Sequence, residues 1–258
     1  MMMAFSKTTF AIAVCLLSVI SAIADEAPAH LTLARELVKS VSPERNLYSA
    51  NPTKIVWPDE ATPSQPALNN SVCSSFCAAL LRKSYQLGKP DLIHLFTEEW
   101  PEADEMFVGA STKRDFEVIE SINAIKPGDF IIVDYLSEKA IPTGHVMLIS
   151  GDPKKVKLHS KLPLPFEFAT GAKSRDIEVQ SAIEWEVNVI DSSKSPHGKN
   201  DTRYQSADGE NDSGIGEGPI RLLTDKNGKW LGYTWSMFSN SRLWLVGDRP
   251  IVVARWKN

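Results

Sequence analysis

Asn69-Asn70-Ser71-Val72-Cys73-Ser74-Ser75-Phe76-Cys77-Ala78-Ala79-Leu80-Leu81 joins a polar, turn-like run to an apolar helix through small residues. The spacing predicts a helix over residues 74–87, with Phe76, Cys77, Leu80, Leu81 and Tyr85 on one face. Gly88-Lys89-Pro90 ends it, as Gly and Pro just past a last turn do. Cys73 therefore stands at the helix N-terminus. Unpaired N–H groups and the positive end of the helix dipole there favour a thiolate over a thiol. A thiolate so placed can act as a nucleophile.

Nucleophilic thiol chemistry also needs an imidazole within hydrogen-bond reach and a polar group that orients the imidazole. His145 is the candidate base. It begins the apolar stretch His145-Val146-Met147-Leu148-Ile149-Ser150, where a polar side chain has little packing reason to sit. Asp191 is the candidate orienter, at the end of the alternating stretch Glu184-Trp185-Glu186-Val187-Asn188-Val189-Ile190-Asp191. The competing readings are a buried structural cysteine, a core histidine bonded to backbone, and an ordinary turn aspartate before Ser192-Ser193. Cys77, one turn after Cys73, reads as a small buried hydrophobe. A Cys73–Cys77 disulfide has poor geometry within a regular helix, and the spacing is not that of a zinc knuckle. No metal and no cofactor is expected.

Around this core the chain reads as helices followed by antiparallel strands, an α+β pattern. Helices are expected over residues 31–41, over 92–98 with Asp91 as cap, and over 111–122. The Pro/Asn/Ser-rich residues 46–69 read as a loop. Strands are expected at 130–135, 145–150 and 184–191, with shorter ones at 218–223, 230–235 and 251–254. Asp225-Lys226-Asn227-Gly228 reads as a hairpin turn. The polar run from Asp191 to Arg203 either lines a cleft or is a solvated loop. In the first reading His197, Asp201 and Arg203 contact an anionic or amide substrate, and His197 is a second candidate orienter. Ser213-Gly214-Ile215-Gly216-Glu217-Gly218 lacks the Lys-Ser/Thr ending of a phosphate loop and reads as a flexible loop near the cleft. Trp230, Tyr233, Trp235, Trp244 and Trp256 supply either core packing or a sugar-stacking platform.

Lys7 precedes the apolar run Phe10–Ile20 and the small residues Ala22 and Ala24. Residues 1–24 therefore read as a cleaved secretory signal peptide, and the protein as exported, periplasmic or secreted, with no membrane span after cleavage. Cys15 leaves with that segment, so only Cys73 and Cys77 of the three cysteines remain, too few for a disulfide framework. Losing Lys7 takes the formal net charge from −4 to −5. That mild acidity excludes nucleic acid as the expected partner, because phosphate neutralisation needs a basic patch. Residues 25–258 are expected to form a single domain. Composition does not address its oligomeric state.

Cys73-Ser74-Ser75-Phe76 resembles the Asp-Cys-Ser-Gly-Phe motif of NlpC/P60 cysteine peptidases, a papain-like superfamily. Pro127-Gly128-Asp129-Phe130-Ile131 is similar to the motif that opens their first core strand. Gly144-His145-Val146-Met147-Leu148-Ile149 is similar to their base-bearing strand, and Val189-Ile190-Asp191 falls where they carry the third polar residue. The ordered set spans Trp57 to Ser193. The resemblance implies a papain-like fold with the nucleophile helix packed on an antiparallel sheet or partial barrel. It implies Cys73 as nucleophile, His145 as base then acid, Asp191 as orienter, and the Cys73 N–H as an oxyanion donor. The implied substrate is an amide in peptidoglycan stem peptides, with Trp57 and Ser74 assigned to substrate contact.

The chain also departs from that family. Val72 stands for the usual Asp and Ser75 for Gly. The upstream tyrosine motif is reduced to Ile55-Val56-Trp57-Pro58, which leaves Tyr48 as a substitute phenol. Residues 152–183 read as an insertion, and residues 194–258 have no counterpart in the resemblance. These departures keep open an acyltransferase or amidase acting on a non-wall substrate, and a non-catalytic binding module.

Overall fold

Glycine and proline punctuation, rather than length of apolar runs, sets where the strands begin. The computed structural model describes residues 27–49, 51–112, 115–136, 142–158, 182–205 and 212–257. The expected signal peptide and most of the expected insertion lie outside the described residues. Four α-helices are described: α1 (Ala29–Ser40), α2 (Cys73–Tyr85), α3 (Lys89–Phe96) and α4 (Ala103–Ser111). A small sheet holds β1 (Asn46–Tyr48), β2 (Lys54–Val56) and β3 (Leu68–Ser71), in the order β1-β3-β2.

The nine-stranded sheet contains β4 (Phe116–Val118), β5 (Phe130–Asp134), β6 (Gly144–Ile149), β7 (Lys154–Val156), β8 (Ile183–Ser193), β9 (Gly214–Thr224), β10 (Trp230–Thr234), β11 (Leu243–Leu245) and β12 (Ile251–Trp256). Its order is β11-β10-β9-β8-β6-β5-β12-β4, with β7 also pairing β8, and every pairing is antiparallel. The architecture is thus α+β. The last strand, β12, sits inside the sheet beside β5, so the C-terminal portion is part of the main sheet rather than an appendage.

The central strands are apolar on both faces. Phe130, Ile132, Val146, Leu148 and Ile190 join the helices in one core, while Ile131, Val133, Met147, Ile149 and Val189 join β9 and β10 residues in a second. Two buried faces explain why β5 and β6 read as unbroken apolar runs without period-two alternation. The second core places Ile131 of β5 with Ile220 and Tyr233 of β9 and β10, so the sheet curls. Its β9–β10 turn reaches the segment after β4, where Gly228 O accepts from Ile122 N and Trp230 Nε1 donates to Ile119 O. Among the described residues the curl is not closed by strand pairing into a barrel.

α2 is buried from Cys73 to Leu81. A helix apolar all round belongs inside, and this one packs on α1, β6 and β8. Among the described residues no helix is long and apolar enough to cross a membrane.

Several expectations are corrected. Residues 46–69 are not one loop: β1, β2 and β3 lie there, and the polar run before Cys73 is itself a strand. They are stitched by asparagine side chains rather than by apolar alternation. Asn46 Nδ2 donates to Ile215 O (2.7 Å), Asn46 Oδ1 accepts from Ile215 N (2.8 Å), and Asn69 Nδ2 donates to Asn46 Oδ1 (3.0 Å). The helix expected over 111–122 lies earlier, as α4, and β4 occupies part of that stretch. Glu105 starts α4 by accepting from the Glu102 N–H at 2.8 Å, a cap hidden in a charged run. Asp91 accepts from Gly88 N at 2.7 Å, so α3 begins at Lys89, three residues earlier than the expected 92.

Candidate active site

The turn into α2 places Cys73 as the first helical residue. Ser75 accepts a hydrogen bond from Val72 N at 3.1 Å and so satisfies an N–H just ahead of the helix. Ser192 Oγ donates to Ser71 O at 2.8 Å and ties the strand before Cys73 to β8. His145 stands on β6, opposite Val133 of β5. The register that pairs Leu148 with Ile190 carries Asp191 alongside Met147, and His145, two residues along β6 on the same face, is its diagonal neighbour.

Three elements thus deliver three side chains to one place. The thiol of Cys73 and the imidazole of His145 face the same cavity, close enough for each to shift the other's proton affinity. Asp191 Oδ2 lies 2.6 Å from His145 Nε2, which leaves Nδ1 as the nitrogen for the thiol. The edge of Trp235 packs on the His145 ring, with centroids 4.5 Å apart and planes at 79°.

The electrostatics follow from burial and contact. Burial pushes the Cys73 thiol up, but the charge and hydrogen bond of His145 and the Val146 backbone outweigh it, and the thiol falls below its ordinary value. Asp191 acts the other way on Cys73, raising it. Burial pushes His145 down, yet Cys73 and Asp191 raise it to about 10. These opposed shifts favour the thiolate–imidazolium pair over the neutral thiol and imidazole. Asp191 is fully buried, and despite that Arg203, His197 and His145 hold its carboxyl well below the usual range.

Behind Asp191 is a second layer of charge. Arg203 Nη2 lies 2.9 Å and His197 Nε2 3.1 Å from Asp191 Oδ1. Both contacts are short but poorly angled for hydrogen bonds, and that of Arg203 is an ion pair. His197 Nδ1 lies 2.7 Å from Trp235 O; since a carbonyl only accepts, Nδ1 carries a proton. Arg203 grips Asp201 through Nε (2.9 Å) and Nη2 (2.7 Å), and its Nη1 donates to Ser193 Oγ (2.6 Å) and Gly214 O (3.0 Å).

A cavity of about 540 Å³ opens onto Cys73 and His145. Tyr48, Tyr135 and Trp235 give it aromatic walls, Ala103 and Pro142 line it further, and Glu102 and Lys194 bring charge. Burial, then the Cys73 and Asp191 charges, pushes Tyr48 upward, so its phenol stays protonated and can donate. Among the described residues no group of His, Cys, Asp and Glu side chains is placed to hold a metal ion. Cys73 and Cys77 are both free thiols; Cys77 is buried and pushed well above its ordinary value by that burial.

Cys73, His145 and Asp191 therefore meet, and Ser74 lines the same cavity. Trp57 does not. It is buried in the helix-side core and borders a separate pocket with Arg82 and Trp100. His197, Asp201 and Arg203 do not contact the cavity either; they are buried, and they grip Asp191 or one another. Asp191, not His197, touches His145.

The glycine-rich run is not a flexible loop but the start of β9, paired residue by residue with β8. A Cβ on Gly216 would meet Arg203 Cδ at 2.7 Å, and one on Gly218 would meet Asp201 Cβ at 2.7 Å. The alternate glycines leave a bare trough in which this ion pair lies. Glycine at every second position was the available signal for it. Trp244 is no sugar platform, because Arg242 and Arg249 cover it at 3.8 Å and 3.5 Å. Tyr135, Trp235, Glu102 and Lys194 were missed as cavity residues, and no local motif marks them.

No family model and no solved structure matches this chain. The uncharacterized protein R653 of Acanthamoeba polyphaga mimivirus is 32% identical over 231 residues, which cover 88% of this chain and 96% of that protein.

Proposed function

The chain belongs to one family with the mimiviral protein R653, and we propose that it is an exported cysteine hydrolase of papain-like, NlpC/P60-type fold that cleaves an amide bond. The observation that carries this reading is a single imidazole that shares the cavity with the Cys73 thiol and lies 2.6 Å from the Asp191 carboxylate.

The Cys73 thiolate attacks the amide carbonyl carbon, a C–S bond forms, and the carbonyl electron pair moves to oxygen. The Cys73 N–H opens α2, and the protonated Tyr48 phenol shares its cavity, so both can donate to that oxyanion. The His145 imidazolium gives its proton to the leaving amine as the C–N bond breaks, which leaves a thioester on Cys73. His145, now neutral, takes a proton from the attacking water, and collapse releases the acid and restores the thiolate. Asp191 holds the ring in register throughout.

The depressed thiol of Cys73 counts against a binding module without chemistry. The N-terminal apolar segment supports export, and stem peptides of peptidoglycan are the substrate to try first. Purified muropeptides and their short peptide analogues should be turned over by the wild-type protein, and not by Cys73→Ala or His145→Ala. Intact-mass spectra of slowed reactions should show an acyl group on Cys73. Equal turnover by both variants would sink the reading.

A further inference from the structure

We propose that Arg203 is a positioning residue of the catalytic pair, acting through Asp191: it fixes that carboxylate and cancels the charge Asp191 would otherwise impose on the Cys73 thiolate. This rests on the reading of Cys73 as nucleophile.

A carboxylate behind the imidazole has two opposed effects. It raises His145, which helps the ion pair, and it raises Cys73, which opposes it. With Asp191 fully buried, little water screens the second effect. A compensating cation on the far side of the carboxylate keeps the orienting hydrogen bond and removes much of the repulsion. Arg203 is that cation, 2.9 Å from Asp191 Oδ1, while Oδ2 is left to His145.

Its place is fixed independently of Asp191. Asp201 grips it through two nitrogens, Ser193 Oγ and Gly214 O take the third, and its stem lies over Gly216. Thr202 N donates to Glu217 O at 2.9 Å and anchors the segment along β9, in the part of that strand β10 does not cover. Asp201 is itself held by the His197 and Arg203 N–H groups, each at 2.8 Å.

The other ionisable groups around the pair do not replace Arg203. Cys73 is faced by Cys77 on α2, Tyr48 on β1, Tyr135 at the end of β5 and His145 on β6. Glu102 and Lys194 line the same cavity; of all these only His145 and Lys194 are cations, and Lys194 stands over the Tyr48 ring rather than behind Asp191. Asp191 is faced by His145, His197 and Arg203, with Asp201 behind. With Arg203 neutralised, Asp191 keeps its His145 and His197 contacts and stays charged, and less positive charge stands against its field on the thiolate.

The test needs no substrate. Iodoacetamide alkylation of Cys73 is followed against pH, by peptide mass, in the full chain. Arg203→Met should move the pH at which alkylation reaches half its plateau upward by about one unit, a roughly tenfold loss of thiolate on the acid side. Arg203→Lys, which keeps the charge, should restore most of that shift. Gly216→Ala, which crowds Arg203 without removing it, should move the curve the same way by less, and it provides the measurement if Arg203→Met does not fold. Unchanged curves in Arg203→Met and Gly216→Ala, with only the melting temperature lowered, would overturn the proposal and leave Arg203 a structural residue. Equal shifts in Arg203→Met and Arg203→Lys would overturn the charge argument. A wild-type curve at the position of an ordinary free cysteine would instead defeat the nucleophile reading, a distinguishable result.

Discussion

Arg203 and Arg221 are both buried against the β8–β9 ribbon, each facing a buried carboxylate, yet their surroundings differ. Arg221 Nε lies 3.0 Å from Glu184 Oε1 across the two strands, and Nη2 donates to Met237 O, but Nη1 has no protein partner among the described residues. Every nitrogen of Arg203 has a partner, and one of them, Asp191, leads on to His145 and Cys73. A buried ion pair is a costly way to gain stability, so its worth depends on what it is connected to. Arg221 staples the turn that carries Trp235 to the sheet. Arg203, in the proposed reading, delivers a fixed charge through Asp191 to the His145–Cys73 pair.

The sharpest way to break this contrast is at the carboxylate between Arg203 and the histidine. Asp191→Asn should keep the shape but lose the charge that orients the imidazole, lowering kcat on a cleaved amide by about 10²–10⁴-fold. Near-normal kcat would mean that the Arg203 cluster, like Arg221, is structural only. Arg221→Met should remove the ion pair to Glu184 and destabilise the protein by on the order of 3 kcal/mol in denaturant unfolding. It should do so with the Cys73 alkylation curve unmoved; a shifted curve would erase the distinction between the two arginines.

pH separates the pair next. Cys73 lies below its ordinary value, so alkylation should reach half its plateau below the roughly 8.5 of a free cysteine. Turnover should share that acid limb, then fall as His145 loses its proton near pH about 10, because the leaving amine then has no acid. Alkylation, which needs only the thiolate, should stay high there. If the two profiles fall together above pH 9, His145 is not the general acid. The smallest effect is expected at Cys77, buried one turn below Cys73. Cys77→Ala should cost about 1–2 kcal/mol of stability and leave the alkylation rate of Cys73 unchanged.

Much of the site was legible because each part has a local signature. A thiol at a helix start and a histidine opening an apolar strand are visible in the chain, and the structure brings Cys73 and His145 into contact. The central strands were legible for a similar reason: Phe130–Asp134 and Gly144–Ile149 are apolar throughout, and only strands buried on both faces read that way. β1 and β3 were not, because side-chain amides rather than apolar alternation hold them, and Asn, Pro and Ser otherwise signal loops. α4 was misplaced because its cap is one glutamate among many charges.

The roles of His197, Asp201 and Arg203 show where sequence runs out. Their polarity suggested a substrate-facing loop, and that is what such residues do when water can reach them. Here a bare strip of glycines on β9 gives Asp201 and Arg203 a dry place to lie, and charge buried there must pair with charge. By itself the sequence determined that this is an α+β protein with a thiol at a helix N-terminus and a histidine on an apolar strand, since helix starts and strand burial are set by nearest neighbours. Only the tertiary structure decided that Asp191 touches that histidine, that Arg203 stands behind it, and that Trp57 faces elsewhere. Those outcomes depend on strand register and on which face of a curled sheet is left empty, and neither is encoded in any short stretch of chain.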